Sequence, residues 1–467
     1  MQKRPVRIKP RSIGVASLRL GSFYNVVSVE LGNTTTKCIV VSTNLETAEI
    51  YEIGKEVRLT REVRPPQSDE AVFGKTLFGI ELTRGSVADM VSDVLLSVMN
   101  ETRLDLHSDI HFVVRSTGVN AGFASPEEVG EIVKALAEGC LKAGVPPRKM
   151  TASLSPENLP PGIRDFSWLK KVYFDGAIAS VLPPADTSVV ANEMEGELVT
   201  AGIKGAVKGT GLDVRNPLMT IDFGTTLAGR ITNDGYPYAK TVGSFAGLAG
   251  AIPDALARGT GLVDSRYGCF LDLPPSRAKE SQVSHEWLER VYSVLRIQEV
   301  QPGDSRFGTV PVNAAAAKGS GVTLLGVDAG INGSGLPKLE AIGREMREAG
   351  GIDLVVAATD LIQAEMVQRL VQLAEQHGLI LEETSLGLTG RAITTGRKPE
   401  IIASRLRLAD GEGWAEHHQI VFVEDGLAMG AAVAARCMNS MGTPGSPMGG
   451  RKGDKCIMAE RMKIQKG

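Results

Sequence analysis

The 467-residue chain has little cysteine, no long apolar run and no excess of charge of either sign. Its five cysteines (Cys38, Cys140, Cys269, Cys437, Cys456) are scattered without a Cys-x-x-Cys pair, so neither a zinc site nor an iron–sulfur cluster has local support. An odd, unpatterned set fits a reducing interior, and a cytoplasmic location is the expectation. No stretch reaches the ~20 apolar residues that span a bilayer. The basic start (Lys3, Arg4, Arg7, Lys9, Arg11) is not followed by the apolar segment of a secretion signal. With a net charge of −3, a broad nucleic-acid surface is not favoured. Neither membrane nor nucleic acid is therefore expected as a partner. The length is too great for one ordinary domain and suits two.

What is present is organised around residues 25–41. Residues 26–31 are β-branched and apolar with small or acidic residues between, which reads as a buried strand. Gly32 and Asn33 both tolerate positive φ and permit a tight reversal, and residues 34–41 return as a second strand. The tip carries the Glu30 carboxylate, a glycine and the hydroxyls of Thr34 and Thr35. Such a tip can wrap a phosphate and hold a hydrated Mg²⁺ beside it. The same grammar of strand, acid, apolar residue, glycine, hydroxyl and strand recurs at residues 218–231, with Asp222, Gly224, Thr225 and Thr226. Two such hairpins suggest two related domains facing each other across a phosphate. Lys37, at the first hairpin's exit, either offsets phosphate charge or is a solvated strand-end lysine.

Around the hairpins, residues 1–24 read as a loosely packed basic extension. Residues 83–99 form a capped amphipathic helix, and Ser125 with Pro126 opens another that runs to about Ala143. Residues 191–202 are a helix of small residues and acids, Glu193 among them. A glycine-rich linker at 204–216 marks the domain boundary. Residues 242–252 are a glycine-dense entry into a helix, where Gly247 serves either close approach of a ligand or tight helix–sheet packing. Residues 279–300 read as mostly helical, and residues 322–328, 338–349 and 352–357 as a β-α-β unit. Residues 384–393 are a strand that breaks at Thr389 and Gly390, suited to a base or ribose. Residues 420–436 are a strand and then a helix of Ala, Gly and Val, which must pack closely against another helix. The expected division is an extension at 1–24, a first domain at 25–205, a second at 215–438 with an inserted segment near 265–350, and a flexible basic tail at 439–467.

Five elements stand in the order seen in the actin, sugar-kinase and heat-shock-chaperone ATPase superfamily. The Glu30 hairpin resembles its phosphate-1 loop, the Asp222 hairpin its phosphate-2 loop and residues 192–202 its first connecting helix. Residues 388–392 resemble its adenosine motif, and residues 424–432 its second connecting helix. Residues 31–37 are closest to activator and reactivator ATPases of corrinoid and radical enzymes. The second half, from Met219 through residues 242–247 to 261–264, resembles methanogenesis marker protein 14, a family confined to methanogenic archaea.

The resemblance implies an α/β fold of two similar ribonuclease-H-like domains, each on a five-stranded mixed sheet, enclosing a nucleotide cleft. It implies ATP and Mg²⁺ as cofactors. Glu30 and Asp222 would hold the metal's water shell, and Asp222, Glu193 and Glu30 would form the catalytic set. Gly32, Asn33, Thr34, Thr35, Lys37, Gly224, Thr225, Thr226, Gly247, Gly390 and Arg391 would bind nucleotide. Three residues depart from the pattern. Glu30 stands where Asp is usual, Thr389 replaces one of two glycines, and Arg391 either stacks on adenine or fills the site. Three classes of function stay open. The first is an ATPase that activates a partner, in a methanogen an enzyme holding a nickel or cobalt tetrapyrrole. The second is a small-molecule kinase with Asp254 or Asp328 as base, and the third is a scaffold that binds nucleotide without turnover.

Overall fold

Two mixed β-sheets flank a cleft in the computed structural model, which describes residues 5–119, 126–150, 177–179, 193–212, 214, 216–235, 239–274 and 280–441. In the first sheet, strands Phe23–Leu31, Thr35–Asn44 and Ile50–Leu59 form an antiparallel meander. Phe112–Thr117 and then Ala177–Ala179 add in parallel on the other side of Phe23–Leu31. The second sheet repeats this plan. Leu218–Phe223, Leu227–Thr232 and Thr241–Gly247 make the meander, and Ser385–Thr389 and Ile420–Val423 add in parallel. Order and strand sense match across five strands, as expected.

Each sheet nevertheless exceeds five strands. The segment near 265–350 supplies two outer strands of the second sheet, Leu295–Glu299 and Thr323–Ala329. The basic extension is also not a loose arm. Val6–Ile8 pairs in parallel with Ile420–Val423 at the edge of the second sheet, and Arg11–Ser12 pairs with Tyr51 and Glu52 in the first. Lys9 and Pro10 alone separate the two pairings, so seven residues strap both sheets together. Arg7 reaches Glu400 at 2.9 Å and Arg11 reaches Glu49 at 3.0 Å. The sequence hid this because a three-residue strand has too few positions to show a period.

Helix Arg84–Thr102 begins at Thr83, whose hydroxyl accepts from the Ser86 N–H while Ser86 returns the bond. With helix Pro126–Lys142 it covers the outer face of the first sheet, burying Val87, Val91, Val94 and Leu95 on Val27 and Val29. Two other helices lie between the sheets and exchange partners. Helix Glu193–Ala206 follows the first sheet in the chain but packs on the second, through Val199 and Ile203 against Leu218 and Val421. Helix Gly426–Met441 follows the second sheet and packs under the first, through Met429 and Ala432 against Val26 and Ile39. They cross at backbone contact, as the run of small residues requires. A methyl group at Gly202 would collide with the Gly426 carbonyl, and one at Gly430 with the Leu198 carbonyl.

Several local expectations are corrected. Residues 352–357 are not a strand but helix, the second part of Leu336–Gln376, which breaks at Gly350 and Gly351 (φ 70° at Gly351). An apolar run that short does not separate a buried strand from a buried helix. Residues 242–247 belong to strand Thr241–Gly247, and the helix starts only at Ala251. The stretch at 279–300 holds one two-turn helix, His285–Tyr292, and then a strand. The expected linker at 204–216 begins inside helix Glu193–Ala206. Of the expected tail, residues 442–467 lie outside the described residues.

The helix crossing yields a direct test. Gly202→Ala or Gly430→Ala should destabilise the protein by about 1–3 kcal/mol, since neither carbonyl can retreat without separating the helices. Chemical denaturation measures this, and an unchanged midpoint for both variants would show that the helices do not cross at this distance.

Candidate functional site

The first hairpin closes through the Gly32 N–H on the Thr35 carbonyl at 3.0 Å. Neither Gly32 nor Asn33 adopts a positive φ, contrary to expectation. Gly32 is required instead by space, since a Cβ there would lie 2.8 Å from the Thr35 oxygen. Asn33 acts through its side chain, donating to the Gly118 carbonyl and accepting from the Leu77 N–H, both at 2.8 Å. Thr60 donates to the Gly32 carbonyl at 2.7 Å. The tip is thus held from three directions.

The second hairpin is buttressed by the chain leading into helix Ala251–Gly259. The Gly250 N–H donates to the Gly224 carbonyl at 2.8 Å, and the Ala249 and Ala251 N–H groups donate to Thr225 at 3.1 Å. A Cβ at Gly250 would stand 2.7 Å from the Gly224 oxygen. The two tips meet across the cleft, where the Thr34 and Thr225 hydroxyls are 2.7 Å apart. Behind them Gly390, at φ 91°, presses against Asp222 and Phe223 so closely that any side chain would strike the Asp222 carboxylate.

A cavity of about 360 Å³ opens around the tips, within the range of small-molecule sites. Glu30, Gly32, Asn33, Thr34, Thr35, Lys37, Asp222, Gly224, Thr225, Thr226, Gly390 and Arg391 all line it. One expected residue does not join them. Gly247 is packed on the backbone of Val327 in the neighbouring strand, a strand-to-strand contact and neither of the two expected roles, and Gly250 takes the place beside the tip. Glu193 begins its helix, but its side chain lies outside the described residues. From the same helix Glu195 lines the cavity, an acid the sequence analysis did not single out. The available signal was that Glu195 shares the apolar stripe of Val199, four residues on.

The electrostatics are those of crowded, buried carboxyls. Burial first, then the neighbouring Asp222 and Glu30 charges, pushes the Glu195 carboxyl well above its usual range. Burial also raises Asp222 to about 7, with Lys37 opposing and Glu30 reinforcing the shift. Glu195 and Asp222 interact directly, and this raises the Glu195 carboxyl further, while Glu195 Oε2 has no hydrogen-bond partner among the described residues. Lys37 is not a solvated strand-end lysine: its side chain is only 17% exposed and its ammonium lies 3.4 Å from Glu30 Oε2. Burial works to lower its pKa, but the Glu30, Asp425 and Asp222 carboxylates outweigh it and the net shift is upward. Across the cleft Lys55 pairs with Asp425.

Of the two candidate bases, Asp328 is committed elsewhere, accepting from Arg296 at 2.8 Å and from the Asn332 and Gly333 N–H groups. Asp254 lines the cavity, accepting from the Phe270 N–H at 2.8 Å and the Thr34 hydroxyl at 3.2 Å. Among the described residues no three acidic, histidine or cysteine groups converge to hold a metal by themselves.

A family profile described as "Uncharacterized protein conserved in archaea (DUF2114)" matches residues 23–465. The chain belongs to this archaeal family. An uncharacterized protein of Methanocaldococcus jannaschii is 53% identical over 460 residues, covering 98% of this chain and 94% of its own length. Among solved structures the chain is similar to a reductive activator for a corrinoid, iron–sulfur protein, at TM-score 0.37 and 11% identity. That match covers 96% of this chain and 62% of the activator. It is also similar to a ROK family glucokinase from Streptomyces griseus in complex with glucose and AMPPNP, at TM-score 0.35 and 13% identity, over 88% of this chain and 99% of that one. Among the described residues no helix is long and apolar enough to cross a membrane.

Asp254 gives the site a pH signature. Burial, opposed by the Phe270 N–H, raises its carboxyl from 3.8 to about 6. Its protonated form is favoured in the folded state. The stability it contributes is therefore fully present below the usual carboxyl pKa and is lost as pH rises through about 6. The shift corresponds to roughly 3 kcal/mol. Melting temperatures of nucleotide-free protein should fall from pH 4.5 to 7 more steeply in the parent than in Asp254→Asn, and parallel profiles would contradict the shift.

Proposed function

We propose that this chain is an ATP-binding, Mg²⁺-dependent ATPase of the actin-like fold that acts on a partner protein. The observation that carries this reading is the meeting of two hairpin tips of the same sequence grammar at one cavity, with Glu30, Asp222 and Glu195 beside them. On this reading residues 25–205 and 215–438 are two ribonuclease-H-like domains that close on the nucleotide.

The residues fit Mg-ATP. Gly32, Gly224 and Gly250 bring backbone to the cavity wall where phosphates would approach, and Glu195 Oε2 is a buried acceptor without a partner among the described residues. The lack of a three-acid cage also fits, because Mg²⁺ in such sites keeps its waters and takes one or two carboxylates plus phosphate oxygens. Glu30 and Asp222 would face that water shell. The bound ion would neutralise phosphate charge. The Glu195–Asp222 pair, holding one proton between two carboxyls, can orient an attacking water and accept its proton. Lys37 offsets charge from the first sheet. A second reading, a small-molecule kinase, is favoured by Asp254, a buried carboxylate facing the same cavity.

Phosphate release by the purified chain with ATP and Mg²⁺ tests the reading. Asp222→Asn and Glu195→Gln should each lower turnover by ~100-fold or more, with modest loss of ATP affinity because the backbone cradle remains. Glu30→Asp should be tolerated. Undiminished hydrolysis in Asp222→Asn would remove it from the catalytic set, and a metabolite-dependent rate abolished in Asp254→Asn would favour the kinase.

The partner is the outermost part of the proposal: a protein client, in a methanogen an enzyme carrying a nickel or cobalt tetrapyrrole. Support comes from the family resemblance in sequence. The Asp222→Asn protein loaded with ATP should capture a specific enzyme that the nucleotide-free form does not. Recovery of the same proteins in both states would count against a nucleotide-controlled client.

A further inference from the structure

Among the described residues, four cationic side chains line the cavity: Lys37, Lys55, Arg391 and Lys398. Three are neutralised in place. Lys37 lies 3.4 Å from Glu30, Lys55 pairs with Asp425, and the buried Lys398 ammonium sits 2.7 Å from Asp360. Arg391 has no ion pair and no side-chain hydrogen bond among the described residues. Its carbonyl alone is engaged, accepting from the Thr395 hydroxyl at 2.7 Å.

The position of Arg391 is tightly set. It follows Gly390, whose left-handed backbone is pressed against Asp222 and Phe223, so its Cα is anchored beside the second hairpin tip. Its guanidinium acts electrostatically on the Lys37 ammonium, which belongs to the opposite sheet. The side chain is half-buried. An unpaired guanidinium held near an ammonium in a partly desolvated cavity is repelled and poorly solvated. The occupant that relieves both is an anion lying between them. A guanidinium presents a planar fork suited to two oxygens of one phosphate, which Lys37 cannot offer.

We propose that Arg391 binds a phosphate group of the nucleotide rather than its base, closing the cradle from the second sheet opposite Lys37. This rests on the nucleotide reading above and assigns Arg391 the role of polyphosphate reader. Stacking on a base would instead use the flat face of the guanidinium and leave its N–H groups and the Lys37 ammonium without a shared anion.

The test separates phosphate from base on the full chain. Calorimetric titration with ATP and with adenosine is run on the parent, Arg391→Ala and Arg391→Lys. Inorganic tripolyphosphate is added as a third probe, read by thermal shift. Arg391→Ala should bind ATP ~10- to 100-fold more weakly, the loss typical of a charge-assisted contact. Adenosine affinity should be unchanged, which also shows that the variant is folded. Tripolyphosphate should raise the melting temperature of the parent but not of Arg391→Ala, and Arg391→Lys should recover part of both effects. Equal losses for adenosine and ATP would overturn the proposal in favour of stacking, and unchanged ATP and tripolyphosphate responses would leave Arg391 as filler. A parent that binds ATP in none of these assays would overturn the nucleotide reading itself.

Discussion

The closeness of two helix backbones, with Gly202 on the Gly426 carbonyl and Gly430 on the Leu198 carbonyl, is the constraint on which the cleft depends. Each helix is packed on the sheet that the other follows in the chain, so their separation sets how far apart the two hairpin tips stand. Larger side chains at the crossing would wedge the sheets apart and open the 2.7 Å contact between Thr34 and Thr225. The same crossing delivers chemistry. Glu195 lies in the first turn of one helix and Asp425 immediately precedes the other, and both reach the cavity.

The cleft is also bridged at other points. Arg61, just past the meander of the first sheet, holds Asp272 through two nitrogens, one at 2.7 Å from Oδ1. The Arg258 guanidinium stands 5.0 Å from the centroid of the Phe78 ring. At the opposite end the strap at residues 6–12 pairs with both sheets. These contacts are polar or short and individually modest, whereas the helix crossing is apolar and continuous. A molecule built this way resists translation of one sheet past the other, while rotation about the crossing strains mainly the weaker bridges.

Charge inside the cleft is balanced only in part. Glu195 and Asp222 can share one proton because two ionised carboxyls at that depth would repel and be poorly solvated. Among the described residues, three of the cavity's cations have carboxylate partners, and the fourth, Arg391, has none. An occupant bearing several negative charges with its own metal would complement both features.

The strand–glycine–hydroxyl pattern of both hairpins, the Thr83 cap and the Ala-Gly-Val helix were legible in the sequence, because each is dictated by neighbours within a few positions. Twelve expected cleft residues fell at one cavity for the same reason, since each tip carries its functional groups on consecutive residues. Tertiary structure decided the rest. Residues 352–357 became helix because their apolar run met the core of the second sheet at helical spacing. Gly250 rather than Gly247 came to the cleft because a strand had to end before the chain could turn back beneath Thr225. Glu195 was brought to the cavity beside Asp222 by the rotation of its helix about its axis, which is set by what it packs against. Residues 6–8 found a strand at residues 421–423 and residues 11–12 one at 51–52, and pairing beyond the immediate neighbours leaves no mark in a local pattern. The sequence by itself determined which groups could serve a phosphate. Only packing determined which of them face one another, because distance and orientation between elements belong to the core.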